Sequence, residues 1–338
     1  MANRAVVIDE RDLPACLAYE GEFGAELILF LPFVTWLSRS GLLRTRRVGT
    51  YAGMRCFYDH LECVEIVERP GPRRYVRPRA RLACLPVKDE HQFTGRSPVH
   101  VFPDLRRQFQ ECPLPAMIEK APRPLLVVHN KHIVEWSRRA INHIGLTSLD
   151  ALFDRLRHAF TIVYIRHGIG GPTAGFSADH GQPLAFDDRA VLANHPEVLC
   201  FDDLFEEATA KGYPPDCNLL KNALYSRCWH FISSQGGGAH HCACYSGSVL
   251  VVLHRRGKEA CLAYGDGYYG CLSDPPPVRV ICCDEDELLR VARTLPGTGV
   301  ADDRVVLGPD AAAAARELSP ETFRTRQRRG LDRWVFGR

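Results

Sequence analysis

The chain has 338 residues, 46% of them hydrophobic and 25% charged, with 43 Lys and Arg against 40 Asp and Glu and a formal charge of +3. That balance belongs to a folded globular chain, excludes wholesale disorder and does not suggest a general polyanion binder; the length exceeds what one core usually absorbs, so two domains are expected. No apolar run approaches the roughly 18 residues of a membrane span, and the opening MANRAVVIDERD lacks the apolar stretch of a signal peptide, so a soluble, cytoplasmic protein is expected.

In chain order, residues 6–8 read as a first strand. Tyr19-Glu20-Gly21-Glu22-Phe23-Gly24-Ala25-Glu26-Leu27 follows, a two-glycine turn that opens an apolar helix running to Trp36. Short strands at 48–51 and 64–67 complete an N-terminal α/β unit. The stretch 69–123 is rich in Pro and Arg, with a short helix at 102–110. Pro122 and Pro124 mark a boundary.

Beyond it the text alternates. Strands are expected at 125–129, 161–165, 198–201, 229–233, 249–253 and 278–282, with helices at 148–160, 187–194, 219–228 and from about 239. A Gly/Pro-rich loop runs from Gly168 to Gly181, and the alanine run at 311–315 favours helix. Alternation at this spacing means parallel βαβ units with right-handed crossovers, whose ligands bind beyond the carboxyl ends of the strands. His129-Asn130-Lys131, Arg166-His167, Asp202-Asp203, 233–238 and His254-Arg255-Arg256 all fall there.

Ser233-Ser234-Gln235-Gly236-Gly237-Gly238 before a helix suits an anion, because glycines let the backbone approach closely and a helix start offers N–H groups with a favourable dipole. Lys131 supplies a point charge and Arg166 a fork for phosphate oxygens. Asp202 follows a strand closely; the other acidic doublets read as helix caps. His240 and His241 are rotated by about 100° on a helix, so one is expected to face the site and the other to pack, with no shared metal. Glu22, and after it Glu26, are candidates for a general base at the N-terminal glycine loop. The 14 cysteines include no Cys-x-x-Cys and read as reduced thiols, several of them buried. Two arginine clusters stand out: Arg69, Arg73, Arg74, Arg77, Arg79 and Arg81, and at the C-terminus Arg324, Arg326, Arg328, Arg329, Arg333 and Arg338. Either is a candidate for contact with a polyanion or an anionic membrane surface, or is a solvated face.

Two stretches carry a resemblance. The segment 231–249, FISSQGGGAHHCACYSGSV, resembles the donor-site stretch of GT-B fold glycosyltransferases of the metal-independent heptosyltransferase and fucosyltransferase kind, and YEGEFGAEL at 19–27 resembles their first-domain glycine loop. Ser248 stands where the family usually has Pro, and His240-His241 where it often has small or apolar residues. The resemblance implies two Rossmann-like domains facing each other across a cleft: an acceptor-side domain at 1–121, a nucleotide-sugar domain at 122–310, and a basic C-terminal helix at 311–338 crossing back. It implies transfer of a sugar from a nucleoside-diphosphate sugar to a hydroxyl on a glycan or small molecule, inverting, with no metal or other cofactor. Donor contacts then fall on Asn130, Lys131, Arg166, Asp202, Ser233, Ser234, Gln235, Gly236, Gly237, His240 and His241, with Gly21, Phe23 and Gly24 forming the acceptor loop. Glu22 or Glu26 takes the acceptor proton, and no stable nucleic-acid partner is expected. The alternatives are a polysaccharide pyruvyltransferase-like enzyme, with a similar two-lobed plan and a phosphate-bearing donor, and a non-catalytic nucleic-acid or carbohydrate binder using the arginine clusters.

Overall fold

The computed structural model describes residues 8–73, 99–134, 140–167, 169, 184–255, 269–319 and 322. The first sheet is parallel and ordered β1 (Cys16–Ala18), β2 (Arg47–Tyr51), β3 (Glu65–Arg69). The strand expected at 6–8 is not formed at Ile8, and residues 6 and 7 lie outside the described set. The crossover from β1 to β2 starts at α1 (Phe23–Ala25), widens into a π-helical turn at Glu26–Phe30 and continues as α2 (Leu31–Arg39). Pro32 lies at the start of α2, directly after the wider turn. Then come α3 (Leu105–Phe109) and α4 (Ala116–Glu119).

The second sheet has six strands: β4 (Leu125–Asn130), β5 (Thr161–Arg166), β6 (Leu199–Cys200), β7 (His230–Ser234), β8 (Val249–Leu253) and β9 (Val278–Cys282). Its order is β6-β5-β4-β7-β8-β9, parallel throughout. Winding runs one way from β4 to β6 and the other way from β7 to β9, so β4 and β7 flank the point where the topology reverses, the place where open α/β sheets hold ligands. The intervening helices are α5 (Leu146–Leu156), α6 (Asp188–Asn194), α7 (Phe201–Ala210), α8 (Cys217–Arg227), α9 (Gly237–Ala243) and α10 (Glu285–Ala292). A hairpin of β10 (Gly299–Ala301) and β11 (Arg304–Val306) precedes α11 (Pro309–Glu317). After α11 the Leu318 carbonyl accepts from the Ile281 amide at 2.8 Å, tying the alanine-rich helix to β9. The basic tail from Phe323 onward, with its six arginines, lies outside the described residues, as do Arg74, Arg77, Arg79 and Arg81. No helix among the described residues is long and apolar enough to cross a membrane.

Strand alternation splits the sheet into two faces. Leu126 and Val128 of β4 face a cluster with Leu149, Leu152, Phe153 and Leu288. Val127 faces the other way, into a core shared with Phe231, Leu224, Tyr225 and Tyr245. That second core runs on without a break through Phe57, Phe109, Phe33, Phe30 and Leu17, so the two sheets are joined by one apolar body. Arg106 of α3 fastens the join. Its guanidinium donates to the carbonyls of Ser246 (Nε, 2.9 Å), Ser226 (Nη1, 2.6 Å) and Cys228 (Nη2, 3.0 Å) and lies 3.7 Å from the Trp229 ring centroid. Gln108 donates to the Cys56 carbonyl at 2.8 Å and Asn218 of α8 to the Gly53 carbonyl at 2.5 Å.

Replacing Arg106 with Ala removes three hydrogen bonds to carbonyls, two of them buried, so we expect Arg106→Ala to lower the unfolding free energy by about 3 kcal/mol, read by urea titration. The shared core further predicts a single cooperative transition in the wild type; separate transitions for the two sheets would contradict it.

Candidate functional site

At the carboxyl ends of β4 and β7 the chain brings Lys131 against the glycine bend. Gly236 has φ +138°, a conformation L side chains rarely adopt, and a methyl on it would lie 3.1 Å from Lys131 Nζ. The ammonium also donates to Gln235 Oε1 at 3.5 Å. Gly238 is closer still to its neighbour: a Cβ there would fall 2.1 Å from the His129 ring, so only glycine lets this imidazole lie over the start of α9. Gln235 is anchored through its amide to the Leu253 carbonyl at 2.9 Å, which ties the bend to β8. Ser233 and Ser234 are buried at the end of β7; Ser233 Oγ donates to the Ser234 carbonyl, and Ser234 Oγ has no hydrogen-bond partner among the described residues.

The N-terminal glycine loop sits directly on this bend. A Cβ on Gly24 would meet His240 Nδ1 at 2.7 Å and the Gly237 Cα at 3.0 Å, and one on Gly237 would meet the Phe23 ring at 3.1 Å. Glu22 is the residue just before α1, half-buried, in extended conformation, adjacent to the contact. Its carbonyl accepts from Tyr19 Oη at 3.1 Å. Gly21 is held by its amide donating to Tyr51 Oη (3.3 Å) and its carbonyl accepting from Arg73 Nη1 (3.4 Å). The loop is therefore fixed from below by aromatic hydroxyls and a guanidinium.

Several expected site residues are engaged elsewhere. Glu26 differs most from its expected role as a base. Its side chain is 0% exposed; one carboxylate oxygen accepts from Thr50 and from Tyr58 Oη (2.6 Å), the other from Arg73 Nη1 (2.5 Å). With both oxygens filled and no solvent access, Glu26 is the buried partner of Arg73. The same pair removes Arg73 from the surface cluster suggested for polyanions, and Arg69 is tied to Glu20 at 2.9 Å. Arg166, expected to grip phosphate, directs Nε and Nη2 to the two carboxylate oxygens of Asp188, whose Oδ2 also accepts from Tyr164 Oη at 2.8 Å. Asn130 is likewise spent: Nδ2 donates to the Ile144 carbonyl and Tyr164 Oη, and Oδ1 accepts from the amides of Lys131 and Ile144 (both 2.9 Å). Its work is to pin the backbone from which Lys131 extends. Asp202 lies in the first turn of α7 after edge strand β6, separated from β4 by β5, and is not brought to the bend.

The adjacent histidines of α9 diverge. His241 is buried among Phe23, Phe57 and Tyr225, with Nε2 2.6 Å from Asn222 Oδ1, which also accepts from Tyr245 Oη at 2.7 Å. His240 faces Gly24 and the Tyr269 ring, 5.6 Å away. Burial, then the Lys131 charge, pushes His240 down to about 3, and the same two causes push His254, just past β8, down to about 3. Burial followed by the Lys221 charge does the same for His129. These rings are therefore neutral at physiological pH. His129 and His254 were visible as strand-end residues yet carried no motif; Tyr269 gave no signal in the sequence. Among the described residues no group of three or more His, Cys, Asp or Glu side chains is arranged to hold a metal ion.

No protein-family model matches the chain, and no curated protein matches it. Among solved structures the chain is similar to the ADP-heptose LPS heptosyltransferase II of E. coli, at 9% identity and a TM-score of 0.42, over 94% of this chain and 98% of that one.

The buried Glu26–Arg73 pair generates a stability prediction. Arg73→Met leaves a carboxylate uncompensated in the core and should destabilise the fold by about 3–5 kcal/mol, whereas the double change Glu26→Gln with Arg73→Met should recover much of that loss; chemical denaturation of the three proteins reads both numbers.

Proposed function

We propose that the chain is a GT-B type glycosyltransferase that moves a sugar from a nucleoside-diphosphate sugar to a hydroxyl acceptor. One observation carries this reading: Lys131 Nζ rests against the Gly236 bend where β4 and β7 diverge. A fixed ammonium and a glycine bend whose backbone a ligand can approach closely suit a diphosphate at the topological switch point. In the proposed arrangement the donor diphosphate lies along Ser233, Ser234, Gln235, Gly236 and Gly237, with Lys131 offsetting the charge that develops on the departing diphosphate, a role a divalent metal fills elsewhere. His240 borders the donor on the side of the glycine loop.

The acceptor lies at Gly21, Phe23 and Gly24, and Glu22 takes the hydroxyl proton. The acceptor oxygen attacks the anomeric carbon, the bond from that carbon to the diphosphate breaks, and its electron pair leaves with the diphosphate. A single displacement inverts the anomeric centre. No metal or separate cofactor enters this scheme. The proposed compartment is the cytoplasm. Support for Glu22 over Glu26 comes from burial: Glu22 keeps partial exposure beside the bend, and Glu26 has none.

The test is thermal-shift screening with UDP, GDP, ADP and CMP, followed by transfer assays in EDTA with the matching sugars. A cognate nucleotide raises the melting temperature because it binds only the folded state. Lys131→Ala should weaken that nucleotide by about tenfold or more. Glu22→Gln should lower kcat by about 10²–10⁴-fold while nucleotide affinity stays near wild type. Absence of binding by all four nucleotides, or full dependence of transfer on a divalent ion, overturns the proposal or its metal-free part respectively.

A further inference from the structure

A nucleoside-diphosphate sugar carries two negative charges. Among the described residues the strand-end arginines are paired with carboxylates, Arg166 with Asp188 and Arg255 with Glu285. Lys131 supplies one positive charge. Three imidazoles come to the same strand ends, each from a different element: His129 from β4, His240 from α9 and His254 just past β8, next to Leu253, whose carbonyl accepts from the Gln235 amide. His129 lies over Gly238, within the bend itself, and His240 lies against Gly24. The positive field of Lys131 reaches all three.

We propose that the site takes up a proton together with its diphosphate ligand, onto this trio of histidines, so that donor affinity rises as pH falls. The inference rests on the reading of the bend as a diphosphate site. The groups facing the trio set the sign. His129 meets Lys131 on its own strand end, Lys221 from α8 and His167 beyond β5; Lys131 also acts on His240 and His254, and the Tyr269 ring faces His240. Burial and positive neighbours hold the three rings neutral. A dianion set against the same rings opposes both effects, because a nearby negative charge favours the protonated imidazole. The protonated form is then the tighter binder, and lower pH favours it. Group transfer leaves one further negative charge on the departing diphosphate and releases the acceptor proton, so a proton held by the trio also favours the product state.

A nucleotide sugar is the right probe, since its diphosphate diester has no ionisation near neutrality, unlike the terminal phosphate of a free nucleotide. UDP-glucose, GDP-mannose and ADP-glucose are titrated calorimetrically into the full chain at about pH 6 and about pH 8, each in two buffers of different ionisation enthalpy, the range over which a perturbed histidine titrates. The expected result is net proton uptake and affinity at least about fivefold higher at the lower pH. The variants His129→Gln, His240→Gln and His254→Gln, checked for folding by thermal melting, assign the proton; at least one should reduce the uptake. Binding without uptake and with equal affinity at both pH values overturns this inference and leaves the diphosphate site standing. Uptake unchanged in all folded variants also overturns it. No binding of any of the three sugars at either pH overturns the diphosphate reading itself, and the inference with it.

Discussion

Everything at the candidate site follows from the reversal of winding between β4 and β7. Two neighbouring parallel strands whose chains then depart in opposite directions leave their carboxyl ends uncovered by a crossover, and whatever those ends carry is delivered to one place. Here they carry a histidine-asparagine-lysine run from β4 and a serine-glutamine-triglycine run from β7. The register between the strands, with His129 opposite Ser233, fixes how far each run projects. Close approach is then a matter of missing side chains. Gly236, Gly237 and Gly238 each touch a different neighbour at a distance a Cβ would violate or strain: Lys131, Phe23 and His129.

Electrostatics around the bend is sorted by burial. Three of the cations near it or beneath it are matched by carboxylates: Arg73 by Glu26, Arg166 by Asp188 and Arg255 by Glu285. The two buried pairs, Arg73–Glu26 and Arg166–Asp188, contribute little net stability over an apolar replacement, because desolvation offsets attraction, but removing one partner is costly. Their effect is geometric. The Arg73–Glu26 pair holds the glycine loop through the Gly21 carbonyl, and the Tyr164–Asp188–Arg166 group supports Asn130, which in turn holds the Lys131 amide. What the pairs position is a loop and a lysine, the two parts that face each other across the bend.

The α/β class, the parallel alternation and the strand-end positions were legible because buried parallel strands read as short apolar runs punctuated by polar ends: LLVVHN, TIVYIR and HFISS. The helix after β6 was not, since its acidic doublet reads as a cap and its apolar residues, Phe201, Leu204, Phe205 and Ala208, lie within a charged stretch. Lys131 and the glycine bend were found by the same strand-end logic. That Arg166 and Glu26 are occupied could not be read, because their partners Asp188 and Arg73 are 22 and 47 residues away and ordinary in type. A charge in sequence is a candidate until its counter-charge is known. The short β1 was missed for a related reason: three residues, CLA, give too little periodicity to register.

The clasp made by Arg106 has a consequence for how the chain is made. Its three acceptors lie 120 to 140 residues further along. At the roughly 5–20 residues per second of synthesis, the first sheet emerges many seconds before the strands and helices against which it packs. During that interval Phe23 and Phe57 lack His241, and α3 lacks α8, their partners from the later half of the chain. Silent changes that slow decoding between α3 and α9 lengthen that interval without altering a single side chain.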